Sequence, residues 1–367
     1  MKNRIRLIAV VCVLALLLSG CNAMFDKEYR SEEVYVDEYF EIKDETFVQE
    51  VKNYRGMKNA LMNLINSAAE YGKIRTEKYK GDPEDDISKA CIEVTREEPM
   101  GIYAVDYITH SVNQIVSYYE IEVYITYRRT PEEIAGVVTI RSGIELQNLL
   151  SAAMEKCETS LAVMQVSTDV DEESIENYVN SIYRSNPVRV PACPEVTVNS
   201  YTAPDNTIHE ITEIELEYPL SKEEMTDMKT SLQDYTRDVI TISNYSDVNH
   251  VCRTLLNCCS PDAEGSGSAY EALLGGRTAN SEGYAMATKI LCNAAGIDSY
   301  VVEGWLNDVK HFWNIVNIRG RHYHLDMYSA AVSGEDVEFM LDGDIESRYS
   351  WDRTVYPACE DPDSDNE

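Results

Sequence analysis

Residues 278–328 constrain this chain more than any other stretch. They read TANSEGYAMATKILCNAAGIDSYVVEGW and then, beyond residue 310, HFWNIVNIRGRHYHLDMY. Asn280-Ser281 opens a helical pattern in which Ala285, Ala287, Ile290, Leu291 and Ala294 form one apolar stripe, and Gly296 is placed to end it. Strand patterns follow, the first over 299–303. If Arg319-Gly320 is a two-residue hairpin turn, Ile318 faces Arg321 and Trp313 faces Asp326. Side chains alternate along a strand, so His311, Trp313 and Asp326 share one sheet face, with His311 and Asp326 diagonal neighbours. Ser281 stands at the helix N-terminus, where backbone N–H groups favour negative charge. A hydroxyl, an imidazole and a carboxylate drawn from a helix start and two strands match the layout of nucleophile, base and orienting group.

The rest of the composition narrows the partners. The formal charge is −32, from 64 acidic and 32 basic residues, and such a surface repels a phosphate backbone. No nucleic-acid partner is expected. The 25 tyrosines against five phenylalanines suggest strands whose rings keep a polar edge at water. No cysteine or histidine cluster has zinc-ligand spacing, so neither metal nor cofactor is expected. Beyond residue 21 there are eight cysteines without a dense disulfide framework. Mostly buried thiols are expected, with at most one or two bridges.

The N-terminus carries Lys2, Arg4 and Arg6, then an apolar run over 7–18 that is too short to span a bilayer. Leu18-Ser19-Gly20-Cys21 follows and resembles the lipobox of bacterial lipoproteins. The resemblance implies a signal peptide over 1–21, cleavage before Cys21, a lipid on its sulfur, and anchorage to the outer face of a cell membrane. Residues 22–48 read as an acidic tether and 358–367 as an acidic tail.

Between them lies an internal repeat. EIEVYITYRRTPEE at 120–133 returns as ITEIELEYPLSKEE at 211–224, 91 residues later. Each copy is an alternating strand running into a capping box, Thr130-x-x-Glu133 and Ser221-x-x-Glu224. Read backwards from these, 49–220 gives two α-β-α-β-β modules of α+β class. Helices are expected over 56–70, 83–96, 131–156 and 170–183, and strands over 74–79, 103–110, 120–127, 161–166, 196–201 and 211–218. Nothing catalytic stands out in them.

Within a domain expected over 221–357, roughly residues 245–357 resemble the bacterial transglutaminase-like superfamily, of the papain-like cysteine-protease type. The residues that carry the likeness are Glu282-Gly283-Tyr284-Ala285 opening a helix, Ala295-Gly296-Ile297, His311-Phe312-Trp313-Asn314, and Asp326 after a hairpin. The resemblance implies a thiolate that forms an acyl-enzyme, a histidine base and an orienting aspartate. Two departures bear on this. Ser281 stands at the nucleophile position in place of cysteine, and Met327-Tyr328-Ser329 replaces the usual Pro-Thr-Trp after the aspartate.

Ser281, His311 and Asp326 are therefore the candidate catalytic residues, with Trp313, Trp305 and Asn280 as cleft wall. A hydroxyl cannot be ionised in advance as a thiol can, and needs its proton taken during attack. Cys292 lies eleven residues further along the same helix, about 16 Å away, and cannot replace Ser281. The leading reading is a degenerate domain that binds peptide or protein segments. A Ser-His-Asp acyl hydrolase or peptidase and a purely structural envelope protein are the alternatives. For Ser281 itself the plain alternative is a helix N-cap.

Overall fold

A computed structural model describes residues 48–166, 170–204, 209–242 and 247–360. The signal peptide, Cys21 and all but the last residue of the acidic tether lie outside the described residues. No helix among the described residues is long and apolar enough to cross a membrane.

The chain begins with β1 (Val48–Asn53), α1 (Tyr54–Asn66), β2 (Tyr71–Lys80), α2 (Pro83–Arg96), α3 (Pro99–Ala104), β3 (Val105–Ile115) and β4 (Tyr118–Tyr127). The strands form one sheet in the order β1-β2-β4-β3, with β1 parallel to β2 and the other pairs antiparallel. Leu61, Leu64, Ile87 and Val94 from the helices pack on Ile74, Ile121 and Val123. The opposite sheet face is polar, and Arg75 and Lys73 pair there with Glu120 and Glu122. Alternation along the strands thus gives one dry and one wet face. Val48, assigned to the tether by sequence, instead begins a strand.

Next come α4 (Pro131–Ala135), β5 (Val138–Ile140), α5 (Gly143–Glu155), β6 (Ser160–Val166), α6 (Glu172–Ser185), β7 (Glu195–Thr202) and β8 (His209–Glu217). Their sheet runs β5-β6-β8-β7, again with one parallel pair at the start. The stretch expected to be largely helical over 131–156 is two helices with a strand between them. It is broken by the β-branched stretch at 137–140, which pairs with β6, and α5 restarts on a Ser142 cap accepting the Glu145 N–H. Both capping boxes form. Thr130 and Glu133 exchange bonds of 2.7 and 3.2 Å, and Ser221 and Glu224 bonds of 2.9 and 3.2 Å.

The remainder is α7 (Lys222–Ile242), α8 (Val248–Cys258), β9 (Ser260–Pro261), α9 (Ala269–Leu273), β10 (Thr278–Ala279), α10 (Ser281–Ala294), β11 (Ser299–Leu306), β12 (Val309–Ile318), β13 (Arg321–Leu325), α11 (Met327–Ser333), α12 (Asp342–Ile345) and β14 (Tyr349–Trp351). The last sheet is ordered β13-β12-β11-β14. On one face α10 lays Tyr284, Ala287 and Leu291 against Val301, Phe312, Val316 and Leu325. On the other, Ile345, Tyr349 and Cys359 cover Val302, Trp313 and Ile315. Cys359 is fully buried, so the segment read as a tail from 358 still belongs to the fold at that position. The α10 core is continuous with that of the second sheet, through Leu146, Ile175, Val179 and Ile214.

Two tight turns set the register of the last sheet. Arg319 and Gly320 both have positive φ, 54° and 88°, as a type I′ hairpin requires, and Ile318 pairs with Arg321. Asn307 and Asp308, at 49° and 65°, make a second such turn between Leu306 and Val309. The strand pattern over 299–303 therefore runs on to Leu306 before this turn.

Candidate active site

The site starts where α10 starts. Asn280 is the N-cap, and its side chain accepts the Gly283 N–H at 3.1 Å. Ser281 is therefore the first helical residue and not the cap, which frees its hydroxyl. Asn280, expected in the cleft wall, is occupied as a cap. Gly283 explains itself by contact, since a Cβ there would lie 2.6 Å from the Ser266 carbonyl oxygen. The helix is tied to the sheet by Asn314, whose amide donates to the carbonyls of Ala285 and Tyr300 at 3.0 and 3.2 Å.

The Ser281 hydroxyl oxygen accepts the Phe312 N–H at 3.3 Å. The cause is where β13 stops. Alternate residues of β12 point their N–H groups at β13, but pairing ends at Asn314 with Leu325. The Phe312 N–H faces the same edge just past that end, and Ser281 fills the place of a strand partner. Among the described residues, no hydrogen bond joins Ser281 to His311.

His311 and Asp326 do meet. The ring Nε2 lies 2.7 Å from Asp326 Oδ2, and each residue is 6% exposed. The register that the Arg319-Gly320 turn dictates is what brings them together. Asp326 Oδ2 also accepts from the Ser329 hydroxyl at 2.7 Å and the Tyr349 hydroxyl at 2.8 Å, while Oδ1 accepts the Ser329 N–H at 2.9 Å. Burial works against the charged carboxylate, but the bonds from His311 and Ser329 outweigh it and hold its pKa below the usual value. A charged acceptor at Oδ2 makes Nε2 the protonated nitrogen of His311. In the neutral ring Nδ1 then carries the lone pair, and it makes no hydrogen bond among the described residues.

Sequence reasoning missed Ser329 and Tyr349. Ser329 lies in the stretch that departs from the family pattern, and its role as the capped position of α11 was readable in Asp326-x-x-Ser329. Tyr349 arrives from β14.

Trp313 is 1% exposed, so it forms the wall behind His311 and not a surface for ligand. Its ring stacks on His311 with centroids 6.2 Å apart. The indole N–H donates to His324 Nδ1 at 2.9 Å, and His324 Nε2 lies 2.8 Å from Asp342. Indole is a donor only, so Nδ1 must accept and Nε2 must carry the proton. This bears on the one cluster with metal-ligand spacing among the described residues, His324, Asp342 and Cys359, whose ligand atoms lie within 4.8 Å of one another. The His324 lone pair is already taken, and burial pushes the Cys359 thiol up to about 12. The cluster is a polar anchor for Trp313.

Trp305 is not brought to this site. It pairs with Lys310, one residue out of phase with His311, and so points from the opposite face of the sheet. It is half exposed, at 50%. Extension of β11 through the Asn307-Asp308 turn fixes that phase. No cysteine substitutes for Ser281 either. The eight described thiols are all free, and burial raises Cys252 and Cys292 to about 12 and Cys259 to about 11.

A further group reaches the site from the second sheet. Arg184, at the end of α6, meets Glu303 at 2.5 Å and lies over the Phe312 ring at 5.2 Å. It also faces Glu282, next to Ser281, at 3.9 Å, and Lys310 closes on Glu303 at 2.6 Å. Burial raises the Glu282 pKa, with Arg184 partly opposing it. In Glu303 burial is outweighed by Lys310 and Arg184, and its pKa is lowered. Arg184 and Glu303 are 119 residues apart, and nothing local to Arg184 announces the contact.

The Asp326 shift gives a pH signature. Its folded pKa lies below the unfolded value of about 3.9, so its contribution to stability is complete above that value and is lost as pH falls through the folded pKa. Acid unfolding followed by circular dichroism should be steeper below about pH 4 in the wild type than in Asp326→Asn, which lacks the titration. Parallel acid limbs would show that the carboxylate is not held in this way.

No family model matches the chain, and no curated protein does. Among solved structures, one neighbour is described as a candidate cysteine protease from Cytophaga hutchinsonii, with 13% identity, 41% of this chain and 67% of that one covered, and a TM-score of 0.24. Another is described as a TGase, with 11% identity, 59% and 63% covered, and a TM-score of 0.27. This chain is a mixed helix-and-strand protein similar to both, at scores that place no residue of it on a residue of theirs.

Proposed function

We propose that this chain is an extracytoplasmic lipoprotein, anchored through Cys21, whose transglutaminase-like C-terminal domain is catalytically degenerate and binds peptide or protein segments. The two four-stranded sheets before it are read as copies of one module, a reading supported by their like order and strand senses. The observation that carries the degenerate reading is the state of Ser281. Its oxygen is engaged by the Phe312 N–H, and no hydrogen bond aims its proton at His311. A serine nucleophile needs that proton removed as it attacks. The His311–Asp326 pair persists as a satisfied buried network. The experiment is equilibrium capture from a library of extended peptides by the full chain, with the retained peptides weighed. A retained subset of unaltered mass is expected; an empty capture would end the binding reading.

One observation favours the acyl hydrolase as a second reading. His311 Nδ1 has no hydrogen-bond partner among the described residues, and in the neutral ring it offers the lone pair a general base needs. Shortened peptides in the same capture would favour it.

A further inference from the structure

In the first sheet, ordered β1-β2-β4-β3, the far side of β3 meets no strand among the described residues. The strand is 11 residues long. Its neighbours fix which of its backbone groups face outward. Just past β4, Arg128 donates its N–H to the Ala104 carbonyl, while Ile125 donates its N–H to the Glu70 carbonyl. Even-numbered residues of β4 therefore address β3, and odd-numbered ones address β2. Glu122 pairs with Ser111 and Glu120 with Asn113, so the odd residues of β3 bond inward. The N–H and C=O groups of Ile108, His110, Val112 and Gln114 point out of the sheet edge, and no hydrogen bond among the described residues takes them up.

Proteins blunt such edges with charge, proline or brevity. The other edges of the four-stranded sheets are blunted or covered. β1 carries Glu50 and Lys52, β5 and β14 have 3 residues each, and β13 is bridged at His324 by Met340. β7, at the same place in the second sheet, exposes no large apolar side chain, and its Tyr201 is packed by Tyr103 and held by Arg129. β3 is different. From Tyr107 to Ile115 it reads YITHSVNQI, without an acidic residue, lysine, arginine or proline, in a chain of formal charge −32. It exposes Tyr107 at 54% and Ile115 at 40%. The carboxylates beside it on that face, Glu120 and Glu122, are taken up by Lys73 and Arg75.

A second copy of the strand fits this edge. A two-fold axis through Ser111 runs two β3 strands antiparallel. Ile108 then meets the partner's Gln114, and His110 the partner's Val112. These are the residues with outward N–H and C=O groups, so each pair exchanges both bonds. The odd residues form the close, non-hydrogen-bonded pairs. Ser111 meets the partner's Ser111, Thr109 the partner's Asn113, and Tyr107 the partner's Ile115. The two large side chains that the strand exposes thus cover each other, in the type of pair that sets side chains closest. Any other register parts Tyr107 from the partner's Ile115. The helix behind the edge adds to it. Ser88 and Cys91 of α2 reach His110 at 3.3 and 3.9 Å, and Ile92, one turn on from Ser88, is 54% exposed on that flank.

We propose that the chain forms a symmetric dimer through β3, joining the first sheets of two copies into one continuous sheet. The interface uses neither Ser281 nor His311, so it stands or falls apart from the peptide-binding reading.

The test follows the full chain by sedimentation equilibrium over a series of concentrations. The mass should rise from that of one chain toward that of two. Ser111→Lys sets two ammonium groups against each other on the axis and is expected to weaken the dimer roughly tenfold or more. Ser111 is exposed, so the thermal midpoint of the dilute chain should stay in place. Cysteine variants read the register. Ser111→Cys puts two thiols in a close pair with a Cα spacing of about 4.5 Å, within disulfide range, so mild oxidation should link the copies. Thr109→Cys alone should not link, whereas Thr109→Cys mixed with Asn113→Cys should. A mass of one chain at every concentration overturns the proposal. So does association that Ser111→Lys leaves untouched, or Thr109→Cys linking as readily as Ser111→Cys. A chain that stays single but captures an extended peptide, and loses it in Ser111→Lys, would assign the edge to another protein's strand and overturn the dimer as well.

Discussion

Ser281→Cys is expected to create the most reactive thiol in the protein, alkylated by iodoacetamide at pH 6–7 at least tenfold faster than any native cysteine in the folded chain. The native thiols set the background, since burial holds Cys252, Cys292 and Cys359 near 12. Position 281 differs in each relevant respect. It is only half-buried, it is the first residue of α10, and it takes an N–H bond from Phe312 that a thiolate accepts even better. A helix N-terminus beside a protonatable imidazole can bring a cysteine from about 8.5 into the range of roughly 3.5–7.5. His311→Ala in the cysteine background should remove most of the gain. Equal labelling with and without His311 would mean that the imidazole no longer addresses position 281, and that the surroundings of the nucleophile have changed along with the nucleophile.

Trp313→Ala should be the most destabilising single substitution at the site, at about 3–5 kcal/mol, read from denaturant midpoints at constant slope. The indole is fully buried between the stacked His311 ring and His324, and packs edge-on to Tyr349 and Trp351. Its loss opens a cavity and leaves His324 Nδ1 without its donor. Trp313→Phe separates the two effects. It keeps much of the volume and deletes only the N–H, so about 1–3 kcal/mol is expected. If Trp313→Phe costs as much as Trp313→Ala, the bond to His324 matters more than the packing. If neither costs more than about 1 kcal/mol, His311 is not held from behind by this wall.

The parts of the site that local rules govern were legible in the sequence. A two-residue turn fixes pairing for the whole hairpin, so Arg319-Gly320 was enough to bring Asp326 to His311. The helix start was legible to within one residue. Asn280 and Ser281 are both good caps, and only the structure shows that Asn280 takes the role, leaving Ser281 to Phe312. Trp305 shows how a missed turn propagates. With the strand pattern ending at 303 its phase was undefined, although Asn307-Asp308 carries the residue types of a positive-φ pair. Arg184 was not legible by any local rule. Its partners come from a different sheet, and a charged residue in the last turn of a helix reads as solvated until the opposing surface is known.

The most direct measurement of the central claim is intact-mass analysis after exposure to a fluorophosphonate. Such a probe bonds covalently to a serine oxygen only when a base removes its proton as it attacks. If Ser281 is held as an acceptor by Phe312 and is not engaged by His311, the mass of the chain should be unchanged after prolonged incubation. An adduct on Ser281 that disappears in both Ser281→Ala and His311→Ala would contradict the degenerate reading and establish a working Ser-His-Asp centre.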